Sequence, residues 1–409
     1  MPGVETVTRT AHSTLTLPSV WQVDVKGDTD FQVYVQRILF VGGGKDASFD
    51  ITIDARNVPI GQVRSATLYL TETGFKKSRV LHIPITFIRT QPVIPMTKTC
   101  DPASISRGGT TTCTISFTNN TFGVANVQFT DILPLQLKLI PGSVTGAKAF
   151  LNSVSFKGTL TGAQPPDVSV VTGVTPAGGY LPLSLFGITP ISGVGDETIA
   201  NFNVPAFMFG GETYTSIGVV SDGYVVVGGG TQADVQFINQ KLPDPTPPNN
   251  VLAPFWTDLD GSKGVGAVRV ATLTDGTNTW IVVDYNLIQT YSGDAGNTFE
   301  IWIQIGATQG ISYAYDTISK LGEGGLLTVG AENRFGNRGS NTYYNGTGTA
   351  PSASTQLVVN SVPGAPGETK TITYKAMGLF PGKWVNYANL TSDLYQGVNI
   401  APFAGEVKK

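Results

Sequence analysis

Three polar side chains stand where strand alternation calls for apolar ones. At period two, Ile94, Met96, Lys98 and Cys100 share one strand face, as do Val127, Phe129, Asp131 and Leu133, and as do Trp384, Asn386, Ala388 and Leu390. An amine, a carboxyl and a carboxamide are thus each expected inside an apolar layer. A buried ammonium is costly unless it is paired, and burial drives it toward the neutral amine. A neutral amine is a nucleophile, Asn386 offers it a carboxamide carbon, and a buried acid at Asp131 could carry the proton between them. The chemistry these types support is an amide bond from Lys98 to Asn386 with loss of ammonia. A hydrogen-bonded Lys98–Asp131 pair satisfies the same pattern without any bond, and is the commoner solution for a buried charge.

The two cysteines form the second candidate. Cys100 and Cys113 are too few for a zinc site that needs four ligands when only His12 and His82 could help. Ile115 and Phe117 share a face with Cys113, and Met96 shares one with Cys100, so both sulfurs should point into one interior. A disulfide is expected, and with it an oxidising compartment; two buried free thiols are the alternative.

Other clusters read as structure. Asp258-Leu259-Asp260-Gly261 lacks the glycine at position six and the glutamate at position twelve of a helix-loop-helix calcium site, so an Asp-rich turn is the first reading and a non-standard cation site the alternative. Ser221-Asp222-Gly223 and Ser292-Gly293-Asp294 bring serine near aspartate, yet His12 and His82 lie far along the chain and no Gly-x-Ser-x-Gly elbow occurs. The triple glycines at 42–44 and 228–230 lack the Lys-Ser/Thr of a phosphate loop. Tyr224, Phe255, Trp256, Trp280, Tyr285, Trp302, Tyr313 and Tyr315 could line a sugar platform, although strand aromatics are more often core. No catalytic residue, metal or cofactor is expected.

The elements that must position these residues are strands. Charged residues make up 13% of the 409, while there are 49 glycines and 25 prolines, a composition of turns and strands instead of amphipathic helices. A net charge of −3 with scattered Lys and Arg gives no footprint for nucleic acid, and no apolar run is long enough to span a bilayer. No charged and then apolar leader follows Met1, so either a processed piece of a longer chain or a segment expressed on its own is expected. About seven short alternating runs between Val4 and Phe87 predict a sandwich over 1–91. A second sandwich is predicted from two stretches, 95–175 and 351–409. Between them, 176–350 is expected as an inserted all-β domain, centred on Ala253-Pro254-Phe255-Trp256-Thr257-Asp258 and opening on a hairpin at Ser221-Asp222-Gly223. The fold class is therefore all-β: tandem immunoglobulin or fibronectin III-like sandwiches with a larger inserted β domain.

Four resemblances sharpen this reading. The run from Phe49 to Val63, with Ala66-Thr67-Leu68-Tyr69-Leu70-Thr71 and His82-Ile83-Pro84-Ile85, resembles the fibronectin type III-like domain that follows the catalytic domain in secreted subtilisin-like serine peptidases. The Asp, His and Gly-Thr-Ser-Met-Ala motifs of such peptidases are absent, so the resemblance implies a non-catalytic region. Lys98 to Pro102, Gly108-Gly109, Cys113 to Asn119 and Thr130-Asp131-Ile132-Leu133-Pro134 are similar to a repeat domain of bacterial surface proteins. Its closing Pro-Gly turn and Asn-x-Ala strand do not follow residue 150 at the expected distance and appear instead at Pro366-Gly367 and Asn386-Tyr387-Ala388, which is the ground for an insertion. The Ala-Pro-Phe-Trp-x-Asp segment remotely resembles nidogen-like extracellular domains. The placing of Lys98, Asp131 and Asn386 resembles the self-formed isopeptide cross-links of bacterial surface immunoglobulin-like domains. Together these imply a secreted or cell-surface region whose partners are proteins, through self-association or surface components. Two alternatives are a filament subunit, in which the strand from Val4 to Thr10 completes a neighbour's sheet, and a carbohydrate- or surface-binding adhesin module.

Overall fold

The structure is a computed structural model of the chain, described for residues 1–74 and 79–409. It is all-β: among the described residues the only helical segments are single 3-10 turns at Leu183–Phe186 and Gln232–Asp234. The chain forms two compact units, one made of 1–163 with 366–409 and the other of 164–365.

In the first unit a nine-stranded sheet is shared by two sandwiches. Its order is Lys148–Phe150, Ser153–Leu160, Ala125–Ile132, Gly382–Ser392, Tyr395–Lys408, Gly3–His12, Asp46–Asp54 and Gln32–Val35, with Ser104–Ser106 beside Tyr395–Lys408. One end is faced by Ile38–Val41, Ser19–Gly27, Val63–Glu72 and Val80–Ile88, and the core there includes Trp21, Phe49, Leu68 and Ile85. The other end is faced by Leu137–Leu139, Thr369–Gly378, Thr110–Thr118 and Met96–Asp101, around Phe117, Phe129, Tyr374 and Trp384. Alternating burial along each strand is what lets one side of each sheet enter a core.

Three features of this unit differ from the sequence reading. The strand Ile38–Val41 was not expected, because its exposed faces, Ile38 and Phe40, are as apolar as its buried ones and mask the alternation. The Pro-containing segment after Thr90 does not separate two independent sandwiches: Gly3 pairs with Asn399 and Val4 with Val398, so the sheet runs through. The fully buried Arg89 reinforces that junction, donating from Nη2 to the Ile400 carbonyl at 2.8 Å and from Nη1 to that of Thr90 at 3.0 Å. The strand Gly3–His12 is also not a spare one, since Val4 to His12 is in antiparallel register with Asp54 to Asp46.

The second unit packs two seven-stranded sheets around a core that includes Phe255, Tyr285, Phe299, Tyr313 and Tyr315. The hairpin at Ser221-Asp222-Gly223 forms between Glu212–Val220 and Tyr224–Val227. Gly223 has φ +79°, and a Cβ there would collide with the Phe255 carbonyl, so the turn demands glycine. Strands Asp167–Thr172 and Gln356–Val362, which the sequence reading assigned to the flanking sandwich, pair with each other, and the latter pairs with Ile311–Tyr315. The unit boundaries accordingly fall at 163/164 and 365/366 instead of near 175 and 351.

Candidate functional site: a buried amine, carboxyl and carboxamide

The second sandwich of the first unit brings Lys98, Asp131 and Asn386 together. Lys98 lies on Met96–Asp101 in the four-stranded sheet, and Asp131 and Asn386 lie on Ala125–Ile132 and Gly382–Ser392, adjacent strands of the nine-stranded one. All three point inward by the alternation that places Met96, Phe129 and Ala388 beside them in the core. The side chains of Lys98 and Asp131 are fully buried, and Asn386 is 1% exposed.

The carboxyl is the centre of the geometry. Lys98 Nζ donates to Asp131 Oδ2 at 2.5 Å, and Asn386 Nδ2 donates to Asp131 Oδ1 at 2.5 Å. Asn386 Nδ2 also donates to the Ile132 carbonyl at 3.0 Å, which fixes the amide plane and turns its oxygen away from the acid. That oxygen meets a group to which the sequence had assigned no role. Tyr374, on Thr369–Gly378, places its hydroxyl 2.8 Å from Asp131 Oδ2 and 3.2 Å from Asn386 Oδ1. The signal was available: Ile372, Tyr374 and Ala376 share the buried face, so the strand sends a hydroxyl into an apolar layer.

Burial pushes the Lys98 ammonium below its ordinary range, against the opposing pull of Asp131. Burial, reinforced by the Asp131 carboxyl, holds the Tyr374 phenol far above its own, so it stays protonated and able to donate. One side of this layer is pinned covalently. Cys113 is opposite Cys100 in register, and the two form a disulfide on the same face as Lys98.

The remaining candidates are engaged by local hydrogen bonds, ion pairs or ring contacts. Asp260 caps a turn, accepting from the Ser262 amide at 2.9 Å and pairing with Lys263 at 3.0 Å. Ser221 is buried in the second unit, its Oγ accepting from the Thr198 amide, and Ser292 donates to Glu323. His12 pairs with Asp46 at the surface of the first unit, and His82 stacks edge-on with Tyr69. Of the eight aromatics considered as a sugar platform, seven are buried in the second unit and Trp280 is half-buried, which overturns that reading of them. Their hydroxyls serve backbone, as when Tyr315 donates to the Pro254 carbonyl at 2.6 Å.

Residues 175–376 match the profile of the family described as NIDO related. Among curated proteins none matches the chain. Among solved structures, the CupB2 chaperone of Pseudomonas aeruginosa aligns at 13% identity and a TM-score of 0.19, over 39% of this chain and 76% of its own. The secreted serine protease VesC of Vibrio cholerae aligns at 13% and 0.18, over 39% and 40%. The C-terminal domain of the AgI/II polypeptide BspA of Streptococcus agalactiae aligns at 8% and 0.17, over 99% and 85%. Similarity at this level carries no functional argument.

Proposed function

We propose that this chain is an extracellular, non-catalytic structural region of a secreted subtilisin-like peptidase, and that one of its sandwiches locks itself with an isopeptide bond between Lys98 and Asn386. The observation that carries the cross-link is the Asp131 carboxyl, whose two oxygens contact the nucleophilic and the leaving nitrogen separately in a sealed core. Moving one proton within the Lys98–Asp131 pair gives a neutral amine and a carboxylic acid. The Nζ lone pair then forms a bond to Asn386 Cγ. Asp131 gives the proton it holds to Nδ2, the Cγ–Nδ2 bond breaks and ammonia leaves, and the carboxylate so formed takes the second proton from Nζ and ends as the acid. No other reactant is needed. The new bond would join the two sheets, while the disulfide joins two strands of one sheet, and both would act on the single strand Met96–Asp101.

The disulfide supports an oxidising compartment, and among the described residues no helix is long and apolar enough to cross a membrane. The association with a peptidase rests on the sequence resemblance over 4–90, and protein partners are the expected ones for such a region. Intact mass under denaturing, unreduced conditions tests the bond. The wild-type chain should weigh one ammonia less than its sequence with the disulfide allowed for, and Lys98→Ala or Asp131→Ala should restore the full mass. An unmodified wild-type mass ends the proposal.

A further inference from the structure

Amide formation at a carboxamide passes through a carbon whose oxygen carries negative charge, and in an apolar core that charge needs a donor. Asp131 cannot be that donor, because both of its oxygens are occupied with the two nitrogens. The backbone contact of Asn386 is also made through nitrogen, to the Ile132 carbonyl. The hydroxyl of Tyr374 is within reach of Oδ1, at 3.2 Å.

We propose that Tyr374 is the catalytic donor of the Lys98–Asn386 cross-link, stabilising the Asn386 oxygen as Lys98 attacks. The proposal rests on the cross-linking reading above and adds a residue to it. The hydroxyl has one proton and two acceptors, Asp131 Oδ2 at 2.8 Å and Asn386 Oδ1 at 3.2 Å. While Asp131 is a carboxylate it holds the stronger negative charge, and the shorter contact is the one made. Once Asp131 has taken the Lys98 proton, that charge is gone; as Nζ closes on Cγ, negative charge grows on Oδ1 instead. The hydroxyl then needs only to turn about its C–O bond to follow the charge. An interaction that strengthens toward the transition state is the kind that accelerates a step, whereas one equally strong before it does not. The phenol keeps its proton throughout, because it lies in the core at 0% exposure beside an acid. It is held there by its strand: Tyr374 is in register with Cys113, whose disulfide to Cys100 fixes the neighbouring strand that bears Lys98. Nucleophile and donor therefore come from one sheet, and proton carrier and carboxamide from the other.

The test follows closure in time. Full-length chain made by cell-free translation under oxidising conditions is sampled at intervals, and the fraction lighter by one ammonia is read by intact mass. Tyr374→Phe keeps the ring and removes the donor, and should slow closure by roughly 10²- to 10³-fold, the loss seen when one oxyanion donor is removed. Closure of Tyr374→Phe at the wild-type rate, with its disulfide formed, overturns this inference and leaves the cross-link standing. A wild-type chain that never loses ammonia overturns both. Should Tyr374→Phe fail to form its disulfide, 3-fluorotyrosine placed at position 374 alone keeps the shape with a stronger donor. It should speed closure, and an unchanged rate overturns the inference.

Discussion

A buried ion pair is poor evidence of stability in itself, since desolvation offsets the attraction, but removing one partner exposes the other's full cost. Asp131 makes the point sharply, because it satisfies Lys98, Asn386 and Tyr374 together. Against a chain in which the Lys98–Asn386 bond has not closed, Asp131→Ala should therefore destabilise the first unit by roughly 3–5 kcal/mol, read by urea unfolding. The double variant Lys98→Met with Asp131→Leu should recover much of that loss. Neither variant can form the cross-link, so their difference isolates the buried charge; a double variant no more stable than the single one would contradict the argument. Reducing the disulfide should cost about 3 kcal/mol by the chain-entropy model for a loop of this length. These residues were legible in the sequence because a polar type breaks an otherwise clean alternation, as Lys98 does between Met96 and Cys100. Tyr374 was not singled out, because tyrosine is an ordinary core residue of strands and its hydroxyl gains meaning only from what lies opposite.

At the scale of elements, the least legible feature is the segment from Tyr180 to Ile188 in the second unit. It crosses the row Arg269, Asp284 and Glu300, which are paired neighbours on three adjacent strands. Alternation assigns Glu300 to the side of the sheet away from Phe299 and Ile301, where a carboxylate reads as solvent-facing. In the structure both acids are buried. Tyr180 donates to Asp284 at 2.9 Å and accepts from Asn286, while the Leu183 amide donates to Asp284 at 3.2 Å. The Leu181 amide and Trp302 Nε1 donate to Glu300 Oε1, and Arg269 holds the Ile188 carbonyl at 3.0 Å. Burial pushes Glu300 from its ordinary 4.5 up to about 8, and raises Asp284 as well. Between those values the folded unit holds more protons than the unfolded chain. Its contribution is therefore complete below about pH 4.5 and is lost as pH rises through about 8. Glu332, raised to about 8, and Asp222, raised to about 7, act with the same sign. The thermal midpoint of this unit should fall across that window and level off above it. Glu300→Gln should lessen the fall without abolishing it, and should raise the midpoint at the alkaline end. A midpoint that rises with pH there would refute the assignment of these acids as buried and neutral.

For the whole molecule, the sequence showed that two separated stretches share one sandwich pattern, while the exact joints depended on pairings that no local signal encodes. Asp167–Thr172 and Gln356–Val362 look like strands of either unit until their partners are known. The joints themselves have a simple form. Within the first unit the Glu368 amide donates to the Thr161 carbonyl at 2.9 Å and the Thr161 amide to the Glu368 side chain at 2.9 Å. Within the second, Gln164 and Ala365 exchange both backbone hydrogen bonds, at 2.8 and 2.9 Å. The chain thus leaves and re-enters each unit on neighbouring, antiparallel segments, and closing the gap costs little loop entropy on either side. A chain of 1–163 joined to 366–409 by a short Gly-Ser linker should fold with its disulfide formed, and 164–365 should fold alone. Each should give a single cooperative transition by circular dichroism and dispersed amide resonances. The joined chain carries Lys98, Asp131, Tyr374 and Asn386 complete, so it should also lose ammonia to the same extent as the full chain. Folding of 164–365 beside an insoluble or uncrosslinked remainder would mean that the two flanking stretches need the block between them to find their register.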